Sequence, residues 1–416
     1  MMGDWRIKSM STIGILLKGA GIPKGSVQET GLNAIRYGEL YTDFNVIIRD
    51  VRSHISEKTA KESVKIKKGD ILFAGSGETI DDIGKSAVYL LGTEGYAGGD
   101  IIIFRPNNES CDPIFLAYLL NSDMVRKQLR RLGQGQSIVH IYKRDLEQLE
   151  LALPDKAEQQ RIVKIIETWA SYIELLDKKI ALKERLKKGL MQQLLTGKKR
   201  LPGFTASWRK MKIGDIGTVV SGGTPDTTVP EYWNGEINWI TPSEITKVGR
   251  KITKPTEKQI TSLGQRASAA TLIPSNSIIL CSRATIGACA VNTYPITTNQ
   301  GFKNIVPNAS IVSTWFLYYW ILHNKNLFLR ISSGSTFMEF SKKDLEKISI
   351  YLPDFEEQQK IEKILLTIDD EIEQLRSKKY ILRSQKEYLL KNLISGSIRV
   401  PETSDGKRRQ KETVYA

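Results

Sequence analysis

The sequence predicts a mixed α+β (α/β) protein in which one architectural unit is used twice. Two globular domains are expected, separated by an antiparallel coiled coil of two long helices and related by an internal pseudo-twofold repeat. Two observations carry this. Asp145-Leu146-Glu147, Leu153-Pro154-Asp155, Glu158-Gln159-Gln160 and Ile162 return as Asp344-Leu345-Glu346, Leu352-Pro353-Asp354, Glu357-Gln358-Gln359 and Ile361, all displaced by 344 − 145 = 199 positions, and the register holds to Gly197 and Gly396. A fainter echo upstream, displaced by 208 − 5 = 203, matches Trp5-Arg6 with Trp208-Arg209 and Ile83-Gly84 with Ile286-Gly287. The expected segments are residues 1–152 and 201–351 as domains, 153–200 and 352–398 as long helices, and 399–416 as a basic tail.

Each helix begins with an aspartate version of the capping box, Asp155 with Glu158 and Asp354 with Glu357. The seam follows at coiled-coil spacing: Ile162, Ile166, Trp169, Ile173, Leu176, Ile180, Leu190 and Leu194, then Ile361, Leu365, Ile368, Ile372, Leu375, Leu382, Leu389 and Leu393. Lys183 and Lys187 interrupt the first stripe, Lys379 and Lys386 the second. A glycine at 197 or 396 can adopt the left-handed cap that ends a helix. About 40 residues at 1.5 Å each span ~60 Å. One such helix cannot bury its own stripe, so the two are expected to pair. The seam does not require the repeated polar pairs Gln159-Gln160 and Gln358-Gln359, which read either as a duplicated docking surface or as interhelical hydrogen bonds.

In the globular halves, strands are expected at Val64 to Ala74 with a break at Lys68-Gly69, Ala87 to Leu91, Ile101 to Phe104 and Ser277 to Cys281. Helices are expected after Asp112-Pro113, ending near Gly133, and after Ser313. Lys127, Arg130 and Arg131 share a face of the first. Gly133-Gln134-Gly135-Gln136-Ser137 and Ser332-Ser333-Gly334-Ser335-Thr336 hold matching positions before the long helices. Glycine admits phosphate to backbone amides, and Gln, Ser or Thr can address base edges; an ordinary connector is the bland alternative. Leu32 to Glu39 aligns with Ile237 to Glu244, with Arg36 and Tyr37 against Thr241 and Pro242: a shared frame carrying different side chains.

With 61 Lys and Arg against 46 Asp and Glu, the formal charge is +15, which favours an anionic partner. No apolar run reaches the ~18 residues of a membrane span and no signal-peptide pattern opens the chain, so a cytoplasmic location is expected. Cys111, Cys281 and Cys289 show neither disulfide nor zinc spacing. Phe73-Ala74-Gly75-Ser76-Gly77 matches a glycine turn used for S-adenosylmethionine, but no two of the 14 prolines are adjacent, so the Pro-Pro loop of an amino-methyltransferase is missing. A hairpin turn is the better reading. There is no phosphate-binding G-x-x-x-x-G-K-[ST] loop, and His54, His140 and His323 are scattered. Nothing nominates a catalytic residue.

The order of globular half, Leu-Pro-Asp, Glu-Gln-Gln and long helix, then Leu195-Thr196-Gly197-Lys198-Lys199-Arg200-Leu201-Pro202-Gly203-Phe204 and the same again, resembles the DNA-specificity subunit of type I restriction–modification systems over essentially the whole chain. Ser221-Gly222-Gly223-Thr224-Pro225, Tyr232-Trp233-Asn234-Gly235 and Trp239-Ile240-Thr241-Pro242 are similar to the opening of a target-recognition domain in that family, whereas Lys18-Gly19-Ala20-Gly21 departs from it. The resemblance implies a non-catalytic subunit whose two domains each read half of a bipartite double-stranded DNA site. It implies two methyltransferase (modification) and two restriction–translocase subunits as partners, which carry the S-adenosylmethionine, ATP and magnesium. DNA-contact candidates are Arg36, Tyr37, Gln134, Gln136, Ser137, His140 and Lys143 in the first domain, and Thr224, Trp239, Thr241, Arg283, Ser335, Thr336 and Lys342 in the second. Glu158 to Gln160 and Glu357 to Gln359 are the partner-binding candidates. The rival readings are a coiled-coil scaffold without DNA specificity and a self-sufficient DNA methyltransferase.

Overall fold

A computed structural model describes residues 5–107, 109–135, 138–332 and 338–400. The chain divides into two compact units, Met1–Leu176 with Lys378–Ala416, and Asp177–Ser377. The divisions fall inside both long helices, so each unit combines one globular half with a stretch of each helix.

The central sheets of the two globular halves repeat one topology, strand by strand. In the first unit a five-stranded sheet runs in the order Gly14–Lys18, Ile101–Pro106, Ile71–Ala74, Ser86–Tyr89, Ile47–Ile48. In the second the order is Gly217–Ser221, Lys303–Pro307, Ile278–Leu280, Cys289–Asn292, Lys251–Ile252. All neighbours are antiparallel except the edge pair, Ile47↔Val88 and Lys251↔Val291, which is parallel in both. These central strands are buried on both faces, which is why they read as apolar runs such as Ile101-Ile102-Ile103-Phe104. One face packs on helices and the other on a smaller sheet: four strands around Leu32–Ile35 in the first unit, three around Trp233–Ile240 in the second.

The expected strands form, but the expected helix from Pro113 to Gly133 is two, Pro113–Leu120 and Asp123–Leu132. Asn121 ends the first by donating its amide back to the Ala117 carbonyl, and the Ser122 hydroxyl accepts from the Val125 amide to start the second. The same break recurs at Asn324, between Thr314–His323 and Lys325–Ile331.

The long helices span Lys156–Leu194 and Phe355–Ile394. The Asp155 carboxylate accepts from the Glu158 amide at 2.7 Å. Gly197 and Gly396 take φ of 68° and 72°, and the amides of Lys199 and Ile398 reach back to the carbonyls of Gln193 and Asn392. Pairing is antiparallel within each unit. In the second, Ile180 packs with Ile368 and Ile372, Lys183 pairs with Glu371, and Lys187 donates to Asp369. In the first, Ile162 and Ile166 share a core with Leu389 and Leu393, and Lys378 lies 5.3 Å from the Tyr172 ring. Both lysines that interrupt the first seam thus find acidic partners on the facing helix.

The segment beyond each long helix clasps the beginning of the other. Arg200 donates two hydrogen bonds to Glu357, 2.9 and 2.7 Å, and Arg399 donates two to Glu158, both 2.7 Å. Trp208 lies against Gly197 and edge-on to Phe316; Trp5 lies against Gly396 and edge-on to Phe115.

Candidate nucleic-acid interface

Four of the six repeated polar residues at the helix starts, Glu158, Gln159, Glu357 and Gln358, are occupied inside the chain. Gln159 and Gln358 are fully buried. The Gln159 carbonyl accepts from the Asp112 amide at 2.8 Å, and its NH2 donates to Ser110 and Pro154 carbonyls at 3.4 and 3.0 Å. Gln358 makes the same set with Ser313, Ile311 and Pro353. Neither a docking surface nor a bond between the long helices explains these residues: each glutamine ties its helix to the start of a domain helix. Glu158 and Glu357 are buried against the arginines named above. Gln160 and Gln359 alone of the six are exposed.

Beside the loops before the long helices, the described residues Val139 to Ile141 and Glu339 to Phe340 meet the chain just beyond the strands Ile71–Ala74 and Ile278–Leu280. In the first unit Ser76–Gly77 pairs antiparallel with Val139–His140, and the Ile141 amide donates to the Gly75 carbonyl. Gln134 and His140 exchange both backbone bonds, at 2.9 and 2.8 Å. Gly135 turns the loop at φ 124°, where a Cβ would stand 2.1 Å from the Ile138 carbonyl, so only glycine closes it. Across this bridge Ser76 Oγ lies 2.9 Å from His140 Nδ1, and the imidazole stacks on Tyr142. Lys18, Asp100, His140, Tyr142, Lys143, Arg144 and Glu147 line a groove of 660 Å³. On the preceding helix Arg126 is buried, donating to the Ile83 and Asp81 carbonyls, while Arg130 pairs with Asp81. Arg126 and Arg130 therefore brace the Thr79–Ile83 loop, and Arg130 does not stand free for phosphate.

In the second unit the equivalent bridge joins Arg283 to Glu339, and the Phe340 amide donates to the Ser282 carbonyl. Glu339 accepts from Lys303 Nζ at 2.8 Å and Ser282 Oγ at 3.1 Å. Burial opposes its charge, but Lys303, Ser282 and Arg283 outweigh that and hold the carboxyl below the usual range. Thr224 donates to the exposed Gln300, whose backbone carbonyl accepts from Lys303.

The structure thus gathers Gln134, His140 and Lys143 in one unit, and Thr224 and Arg283 in the other. It sets others apart. Arg36 and Thr241 each open a turn held by a glutamate, the amides donating to Glu39 and Glu244 at 2.8 and 3.0 Å, and Tyr37 packs toward the inter-sheet core beside Tyr41. Trp239 is 4% exposed, donates its indole N–H to the Gly223 carbonyl and packs edge-on to Trp233, so it is a core residue and presents no edge to DNA. Lys342, like Lys143, sits in the first turn of a short helix opposite a glutamate, 3.7 and 3.6 Å away. Gln136, Ser137, Ser335 and Thr336 lie outside the described residues. Sequence reading missed Ser76, Tyr142, Gln300, Lys303 and Glu339. Only Glu339 had a signal, standing 339 − 140 = 199 positions from His140, the repeat displacement itself.

A family model for the type I restriction modification DNA specificity domain matches residues 17–185 and again 206–383. The chain belongs to this family. It is 39% identical over 186 residues to the MjaIX specificity subunit of Methanocaldococcus jannaschii, covering 44% of this chain and only 43% of that one. To the putative MjaX specificity subunit of the same organism it is 24% identical over 415 residues, covering 95% and 94%. Its fold is similar to the crystal structure of the S subunit of a type I restriction–modification system from M. genitalium, with TM-score 0.57 at 16% identity and 96% and 97% coverage. It is also similar to the HsdS subunit from Thermoanaerobacter tengcongensis, with TM-score 0.54 at 18% identity and 95% and 98% coverage. As a member of this family the chain carries the specificity domain twice, and the two matched copies contain the two bridges described above. Among the described residues no helix is long and apolar enough to cross a membrane.

Proposed function

We propose that this chain is the sequence-reading subunit of a type I restriction–modification complex and has no catalytic site of its own. One observation carries the reading: two copies of one specificity domain share strand order and bridge position but differ at the bridge, Ser76–His140 in one and Arg283–Glu339 in the other. Common architecture with different hydrogen-bonding side chains is what two readers of different DNA words require. Each unit reads one half of a bipartite site. The paired helices set the spacing and, through the motif repeated at their starts, take two copies of a methyltransferase subunit, with exposed Gln160 and Gln359 as candidate contacts; two restriction–translocase subunits complete the assembly. S-adenosylmethionine, ATP and magnesium belong to those partners. Candidate DNA contacts are Gln134, His140, Lys143, Thr224, Arg283 and Lys342 from the described residues, with Arg36, Tyr37 and Thr241 at turns held by glutamates, and Gln136, Ser137, Ser335 and Thr336, which lie outside the described residues. The deciding test is methylome sequencing of a host expressing the chain with its modification subunit. A two-part methylated motif with an unspecified gap is expected; a continuous motif, or methylation by the purified chain alone, would overturn the proposal.

A further inference from the structure

The second unit prepares an arginine for base contact in a way the first does not. Arg283 is half-buried, and its guanidinium has no hydrogen-bond or ion-pair partner among the described residues, although acidic Glu339 stands opposite it across the bridge. That carboxylate accepts from Lys303 and Ser282, both through Oε1, and forms no ion pair with Arg283, so it contributes field without closing an arginine–carboxylate fork. The backbone beneath is fixed: the Ser282 amide donates to the Gly301 carbonyl at 2.9 Å and the Thr285 amide to the Arg283 carbonyl at 2.8 Å. The next residue, Ala284, is held at φ 60°, a conformation that costs an alanine free energy and marks a loop shaped for something other than stability. Gly301 leaves the track along which the side chain runs, since a Cβ there would come within 3.1 Å of Arg283 Nε and 3.2 Å of its Cγ. Exposed Gln300, accepting from Thr224, lies beside this track. An unpaired, pre-oriented guanidinium is the group that matches the O6 and N7 acceptors of guanine with two donors at once. At the equivalent position the first unit has buried Ser76, bonded to His140, and no fork to offer.

We propose that Arg283 selects a guanine in the half-site read by the second unit, that Gly301 is its positioning residue, and that the Ser76–His140 pair makes the other half-site different at the corresponding base. This rests on the proposed function above. The test selects sites from a random duplex pool with the chain assembled with its modification subunit, for the wild type, Arg283→Gln, Arg283→Lys, Gly301→Ala and His140→Asn. Both arginine variants should lose preference for one guanine in one half-site by roughly 5- to 150-fold, with the other half-site retained as an internal control of folding. Lysine keeps the charge but not the planar fork, so the salt dependence of Arg283→Lys should match the wild type while its discrimination falls. Gly301→Ala should weaken the same guanine, and His140→Asn should alter only the opposite half-site. Retention of every guanine in all variants, or affinity falling equally for all sequences with both words intact, would overturn the assignment and leave the specificity role standing. A wild-type complex that selects no two-part site would sink the proposed function itself.

Discussion

Gln159 and Gln358 decide how firmly each domain is fastened to its long helix. Each amide satisfies a backbone N–H at the head of a domain helix and two carbonyls in the connecting turns. Gln159→Ala leaves the part-buried Asp112 N–H without its acceptor and two carbonyls without their donor, so a loss of about 1–3 kcal/mol is expected. Urea unfolding of the variant measures it, and a midpoint unchanged from wild type would count against the fastening. Glu158 adds a pH dependence of determinate sign. The Arg399 hydrogen bonds outweigh burial and hold its carboxyl below the ordinary value of 4.5. A depressed carboxylate stabilises the fold above its unfolded pKa, and that contribution disappears as pH falls through the lower, folded value. Below about pH 4.3 the wild type should lose stability more steeply than Glu158→Gln; parallel melting-temperature profiles from pH 6 to 3 would refute this.

Each globular half is also clamped to its own following helix, through an equivalent tyrosine but differently placed arginines and carboxylates in the two copies. Tyr118 donates to Glu167, which Arg49 also meets; Tyr319 donates to Asp369, while Arg250 reaches Asp370 and Glu373. Asp369 further accepts from Lys187 on the facing helix, joining sheet, helix and coiled coil at one carboxylate. Asp369→Ala should therefore cost about 1–3 kcal/mol, and a double-mutant cycle with Tyr319→Phe should show coupling of about 0.5 kcal/mol or more. Additive effects would mean that the tyrosine and the carboxylate act independently. Here the sequence was only half legible. The seam, caps and glycine stops were readable because helical period and capping chemistry are local. The clamp was not, because Arg49 and Glu167 are 118 positions apart and only the folded sheet brings them together.

At the scale of the whole molecule, charge and spacing carry the predictions. With a net charge of +15, the logarithm of DNA affinity should fall linearly and steeply with the logarithm of salt concentration; a flat plot would remove phosphate neutralisation from the account. Lengthening the paired helices should lengthen the unspecified gap in the recognised site. The antiparallel register decides where the insertions belong: Lys183 faces Glu371, not its repeat counterpart Leu382, so four residues after Leu176 and four after Ser377 keep the seams aligned. One turn adds about 6 Å, and at about 3.4 Å per base pair the gap should grow by one or two pairs with both words unchanged. Full methylation at the old spacing would show that the coil does not measure it.

What the sequence determined by itself was the duplication, the long helices with their boundaries and seams, the absence of known catalytic motifs and the family. Each of these is written in short-range pattern: a 199-residue displacement, heptad spacing, a Leu-Pro-Asp before Glu-Gln-Gln. Tertiary structure decided which polar residues face inward and which are left to act. It buried Trp239 and both inner glutamines, occupied Arg130 with Asp81, and set Ser76 against His140 and Arg283 against Glu339. The physical reason is that a polar side chain acts through the partners it lacks as much as through those it has. Those partners come from strands far apart in sequence, so no local pattern distinguishes the buried glutamine that fastens a helix from an arginine left without a hydrogen-bond partner among the described residues.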